Sequence, residues 1–190
     1  MLPPILAELR SAHPRLVIEL VLSNRTEDLL RRDADIAVRM VPPVQQALLA
    51  RRIGDIALGL YAHRSYLDRH GTPVSLTELH EHALIGFDQE TPSVRSLRSQ
   101  GLALTREMFA LRTDSDLAKV AAVRAGFGIG VCQVGLARRD PHLVRVLPDG
   151  FAHALETWVV MHEDLRATRS CRVVFDALAA GLRAYVASAG

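Results

Sequence analysis

The sequence predicts an α/β fold with mostly parallel sheets, laid out as two similar lobes in succession. Three observations predict it. Short apolar runs of strand length alternate with stretches of helical periodicity. A strand–helix–strand spacing occurs twice, over residues 16–39 and again over 109–132, as expected of βαβ units with right-handed crossovers. A long amphipathic helix then closes the chain. Lobes of this kind joined by extended segments leave a cleft, and clefts are where small ligands bind.

Pro3 and Pro4 suit the first turn of a helix, in which Leu2, Ile5, Leu6 and Leu9 recur at helical spacing. Pro14 ends it and pushes His13 toward extended geometry. Leu16–Leu22 is almost continuously apolar, the pattern of a strand covered on both faces. Ser23 and Asn24 break it, and Thr26 caps a short helix to Arg32. Asp35–Arg39 is a second short strand. Leu48–Tyr61 is one long extended segment or two linked strands. Arg64–His70 is a helix stopped by Gly71, with Pro73 beyond. Leu76–His80 is a further helical turn and Ala83–Phe87 a strand. Residues 88–106 are polar and irregular, with room for one short helix. Phe109–Arg112 is a strand. Thr113, Asp114 and Ser115 offer helix caps before the stripe of Leu117, Val120 and Ala121, and Gly126 ends that helix. Ile129–Cys132 is a strand and Val134–Arg138 a short helix. Leu143–Leu147 and Thr157–Met161 are strands. Arg172–Val186 is the closing helix, with Val174, Leu178, Leu182 and Tyr185 on one face.

Composition is that of a globular protein: 49% hydrophobic and 23% charged over 190 residues. Formal charge is +2, and Lys119 is the single lysine among 23 basic residues. The arginines lie in scattered pairs (Arg31-Arg32, Arg51-Arg52, Arg138-Arg139) and not in the concentrated stripe of a DNA-binding face. Cys132 and Cys171 sit in apolar runs, as buried thiols rather than a disulfide framework or zinc site. With no signal peptide or membrane-length apolar run, the expected setting is cytoplasmic.

Several fragments, in order, resemble the regulatory domain of LysR-type bacterial transcription regulators. They are Leu2-Pro3-Pro4-Ile5-Leu6, His13-Pro14 with Val17-Ile18-Glu19-Leu20, Asp35-Ile36-Ala37-Val38-Arg39, Leu49-Ala50-Arg51-Arg52-Ile53-Gly54, Tyr66-Leu67 with His70-Gly71-Thr72-Pro73, and Ala125-Gly126-Phe127-Gly128-Ile129-Gly130. The resemblance implies two Rossmann-like lobes of the periplasmic-binding-protein type (type 2) with an effector cleft between them. It implies lobe I over 1–59 plus 163–190 and lobe II over 60–162. It also implies a homodimer or homotetramer that meets DNA only through a winged helix-turn-helix. Two departures stand out. That DNA-binding segment, its linker helix and a first strand are absent from these residues. Gln133 stands where the family often has proline, which makes it a polar group available to a ligand.

Three motifs carry other readings. Gly126, Gly128 and Gly130 follow a helix and precede a strand, the reverse of a dinucleotide-binding loop, so they read as a helix stop with tight packing. His80-Glu81-His82 and His162-Glu163-Asp164 lack the third and fourth ligands a metal needs and read as surface. No Gly-x-Ser-x-Gly elbow is present. The expectation is therefore a sensor with no catalytic residues, metal or cofactor. A transporter's solute receptor with the same two-lobe plan is the alternative, and an enzyme on this fold a third reading. Ligands of α/β sheets bind at the carboxyl ends of strands. That rule and the family pattern select Ser23, Asn24, Met40, Phe87, Thr113, Ser115 and Gln133 as effector contacts. Arg25 and Arg39 are nearby cations for an organic or aromatic acid.

Overall fold

A computed structural model of the chain describes residues 1–23, 34–43, 47–89 and 105–189. The expected helix over 26–32 lies outside these residues. By its internal contacts the chain divides into two compact units, Met1–Ile56 with Ala154–Gly190, and Ala57–His153. The sequence expectation returned the chain to the first unit at 163; the contacts return it at Ala154.

In unit 1, helix α1 (Leu2–Ala12) carries its two prolines in the first turn, where no N–H partner is lost. Strand β1 (Ile36–Arg39) pairs antiparallel with β7 (His153–His162), from Ile36 opposite Met161 to Arg39 opposite Trp158. On its other side β7 meets β2 (Leu48–His63). The closing helix α5 (Arg169–Ala189) lays Cys171, Phe175, Leu178 and Leu182 against Val159 and Met161 of β7, with Ile5 and Leu6 of α1 packed beside them. Arg51 pairs with Asp176 at 2.9 Å and lies over the Phe175 ring. Arg52 pairs with Glu156 at 2.8 Å and Asp55 at 2.7 Å. Exposed pairs of this kind add little stability. Their consequence is that this arginine pair is neutralised and offers no cationic stripe.

Two expectations are corrected. Leu16–Leu22 is not a strand covered on both faces: it has no strand pairing, and Val17, Val21 and Leu22 are 86%, 73% and 61% exposed. An apolar run becomes a buried strand only when neighbours supply its hydrogen bonds, and among the described residues none flanks it. The first βαβ unit is therefore not seen. The strands are also mixed in direction rather than mostly parallel, since β2 runs antiparallel to both of its partners in unit 2.

In unit 2, β2 pairs on one side with β5 (Ile129–Gln133) and on the other with β6 (Leu143–Val146). Strand β3 (Leu84–Gly86) lies between β5 and β4 (Phe109–Arg112), parallel to both. Helix α3 (Asp116–Arg124) makes the crossover from β4 to β5, so this βαβ connection steps over β3. Helix α2 (Arg64–His70) stops at Gly71, φ 81°, and α4 (Val134–Ala137) is one short turn after β5. The expected turn near 76–80 is a 3₁₀ helix, Thr77–Glu81. Tyr61, Ile85, Val123, Cys132, Val134 and Ala137 form the core. Buried Tyr66 ties α2 to the start of β3: its hydroxyl accepts the Ala83 N–H at 2.9 Å and pairs with His82 Nδ1 at 3.2 Å.

The glycine-rich segment is a helix stop with tight packing. Gly126 takes φ 72° after α3. A Cβ at Gly128 would lie 2.0 Å from the Ala83 carbonyl oxygen, which accepts the Ile129 N–H at 2.9 Å. Backbone contacts of this kind cannot move aside singly. Gly128→Ala is expected to cost at least about 2 kcal/mol, lowering Tm by roughly 4–8 °C. Thermal unfolding checks this; a variant within about 0.5 kcal/mol of wild type contradicts the packing described.

Candidate functional site

The carboxyl ends of β3, β4 and β5 lie side by side in unit 2, because all three strands run in one direction. Each delivers a polar or aromatic group. Phe87 follows β3 and packs edge-on against Phe109 of β4, centroids 4.9 Å apart. Gly86 makes that contact possible, since a Cβ there would meet the Phe109 ring at 2.4 Å. Thr113 follows β4 and its N–H donates to the Gly86 carbonyl at 3.0 Å, which fastens the two strand ends together. Gln133 ends β5 opposite Leu58 of β2.

Ser115 is the N-cap of α3: its Oγ accepts the Ala118 N–H at 3.3 Å. Thr113 Oγ1 accepts the Ser115 N–H at 3.2 Å. Both hydroxyls receive backbone donors and keep a proton of their own to give to a ligand acceptor. The positive end of the α3 dipole lies at the same place. Asp114 Oδ1 accepts the N–H groups of Asp88 and Gln89, each at 3.0 Å. The carboxylate thus clamps the turn after Phe87 to the end of β4. Sequence reasoning missed this clamp, because nothing in the spacing of residues 88, 89 and 114 announces it.

The remaining predicted residues belong to unit 1. Met40 follows β1, and its sulfur accepts a hydrogen bond from buried Thr157 at 3.2 Å. Ser23 is exposed at the end of the irregular segment. Asn24 and Arg25 lie outside the described residues. Arg39 is buried at the end of β1, opposite Trp158. Paired residues of an antiparallel ladder share a face, so the indole and the guanidinium stand together. Trp158 Nε1 is buried with no hydrogen-bond partner among the described residues. Trp158 is the chain's single tryptophan and a donor that sequence reasoning overlooked; its only sequence signal is a large aromatic in an apolar strand.

The other candidate chemistries resolve into local structure. His80 Nδ1 contacts the Thr77 carbonyl within its own turn, and His162 Nδ1 accepts the Asp164 N–H at 3.2 Å as a cap. Among the described residues no three His, Cys, Asp or Glu side chains converge on one point. His63 Nδ1 lies 2.8 Å from Ser65 Oγ but also accepts the Ser65 N–H, which makes the pair a cap of α2. Burial pushes the Cys132 thiol up to about 11, so it stays protonated and unreactive at neutral pH. What the strand ends of unit 2 offer is hydroxyls, an amide and an aromatic wall, a chemistry of reversible binding. No helix among the described residues is long and apolar enough to cross a membrane.

Comparison with known proteins bears on the family and the fold. The family model "LysR substrate binding domain" matches residues 1–183. The transcriptional regulator CrgA of Neisseria meningitidis serogroup B is 34% identical over 89 residues, 47% of this chain and 30% of that protein. The probable regulator LtrA of Klebsiella pneumoniae is 24% identical over 183 residues, 92% of this chain and 59% of that protein. Among solved structures, the CrgA regulatory domain matches with a TM-score of 0.82 at 26% identity, covering 96% of this chain and 92% of that one. Full-length AphB of Vibrio cholerae, a virulence activator, matches with a TM-score of 0.74 at 26% identity, over 95% of this chain and 63% of that one. The chain therefore spans less than two thirds of these full-length relatives.

Proposed function

This chain belongs to the LysR substrate-binding-domain family, and from that premise we propose that it senses a small organic or aromatic acid for a bacterial transcription regulator. The carrying observation is the alignment of the three strand ends of unit 2, with Phe87, Thr113, Ser115 and Gln133 presented together. Phe87 covers the apolar body of the ligand, while the Thr113 and Ser115 hydroxyls and the Gln133 amide take its polar end. The α3 dipole favours a negative charge there. In unit 1, Arg39 and Met40 stand at the end of β1 with Trp158 of β7 opposite Arg39, and Ser23 and Asn24 complete the set expected from the sequence.

The chain acts in the cytoplasm as a homodimer or homotetramer, without enzymatic activity. Each unit carries apolar surface suited to self-association: Val17, Val21 and Leu22 in unit 1, and Leu117 (67% exposed) and Phe127 (43% exposed) in unit 2. Effector binding changes the assembly because the ligand prefers one arrangement of it over another. The change passes to a winged helix-turn-helix that contacts DNA and lies outside these 190 residues.

Two experiments test the reading. In a thermal-shift screen of organic acids, a bound effector at about 100 times its Kd raises Tm by roughly 5–10 °C. The double variant Thr113→Ala/Ser115→Ala loses that shift. A metal or nucleotide that stabilises the chain where no acid does contradicts the proposal. For assembly, sedimentation is expected to show dimers or larger, with Val17→Asp weakening association roughly tenfold or more. A wild-type chain that stays monomeric at high concentration contradicts the self-association.

A further inference from the structure

Away from the strand ends, unit 2 holds a cavity of 310 Å³ between the segment Thr72–Leu76 and the turn that follows β6. That volume is at the lower end of small-molecule sites. Its walls are mainly apolar: Val74, 80% exposed, and Leu76, 39% exposed, face Leu147 and Pro148. Both walls are braced. The Val74 N–H donates to Glu78 Oε2 at 2.9 Å, and the Glu78 N–H donates to Ser75 Oγ at 3.3 Å. Across the cavity, the Gly150 and Phe151 N–H groups both donate to the Leu147 carbonyl, at 3.1 and 3.0 Å. Leu147 takes φ 48°, the only positive value outside glycine among the described residues. A bulky side chain held in that region is a strained arrangement of the kind that collects at binding sites.

Two charged groups line this cavity, Arg145 and Asp149. Neither has an ion-pair partner among the described residues. Arg145 stands opposite Tyr61 on β2, and its Nε is buried without an acceptor among the described residues. A Cβ at Gly59 would lie 3.2 Å from that Nε and 3.0 Å from the Tyr61 ring, so the bare backbone of Gly59 is the notch that admits both. The Arg145 stem is thereby packed down before any ligand arrives, which lowers the entropy lost when its guanidinium is engaged. A packed-down cation, a carboxylate and an apolar wall lining one cavity match a zwitterion with a hydrocarbon side chain. We infer that this cavity is a second small-molecule site, taking an aliphatic α-amino acid. Its carboxylate would lie on Arg145, its ammonium on Asp149 and its side chain against Val74, Leu76 and Leu147. The inference does not depend on the acid-sensing role of the strand ends.

The test is a methyl-resolved NMR titration of the 190-residue chain with L-leucine, isocaproate (no ammonium) and isoamylamine (no carboxylate). Leucine is expected to shift the methyls of Val74, Leu76 and Leu147 and to saturate at millimolar concentration. The two half-ligands bind at least about tenfold more weakly, since each forgoes a charge-assisted contact. Arg145→Met raises the leucine Kd by roughly ten- to a hundredfold while the dispersed methyl spectrum reports an intact fold. Asp149→Asn brings leucine down to the level of isocaproate. The inference is overturned if leucine gives no saturable shift, or if the shifts centre on Leu117 and Val120 beside Ser115. It is equally overturned if isocaproate binds as tightly as leucine, or if Arg145→Met leaves affinity unchanged.

Discussion

Strand β3 is three residues long, and every one of them is buried. Leu84 and Ile85 pair with β5 on one side, and all three residues pair with β4 on the other. The Ala83 carbonyl just before it presses on Gly128. At its other end the Gly86 carbonyl takes the Thr113 N–H, and the missing Cβ of Gly86 is filled by the Phe109 ring. A strand this confined fixes the height at which its neighbours end. Phe87, Thr113 and Gln133 share one edge because β4 and β5 are both registered against β3. Ser115 then follows, since a chain turning from β4 into α3 needs a cap, and a serine at the boundary supplies the acceptor.

Charge is handled locally in both units. The carboxylate of Asp114 would repel an anionic ligand if it stood alone. It instead takes two backbone N–H groups, which partly compensate its charge while it clamps the turn after Phe87. Arg106 braces that turn from outside through Asp88, at 3.0 Å. Arg51 and Arg52 face acids within their own unit. Arg124 pairs with Asp140 at 2.9 Å, and that carboxylate is held below its usual range first by the His142 N–H and then by the arginine. These arginines are thus engaged with acids of their own units, whereas a grip on a phosphate backbone calls for unpaired cations in a row.

Much of this was legible in the sequence where local chemistry decides structure. The strand at 109–112, the Ser115 cap, the Gly71 and Gly126 stops and the long closing helix all follow from side-chain propensities within a few residues. The sequence failed where distant neighbours decide. Leu16–Leu22 has the composition of a buried strand, but burial belongs to the neighbours and not to the run. The antiparallel partners of β2 depend on the direction in which one long strand passes through both units, which no periodicity encodes. The Asp114 clamp, the Trp158–Arg39 pairing and the notch at Gly59 join residues far apart in the chain. A single sequence carries no mark of such contacts.

The central claim is that the aligned strand ends of unit 2 are where an effector is held. Hydrogen–deuterium exchange of the chain, with and without an acid that stabilises it, tests this most directly. The account predicts slowed exchange in residues 86–89 and 113–118, because a ligand there would tighten the Asp114 clamp and the α3 cap together. Slowed exchange confined to residues 72–76 and 145–150, or none in either strand-end segment, would contradict it.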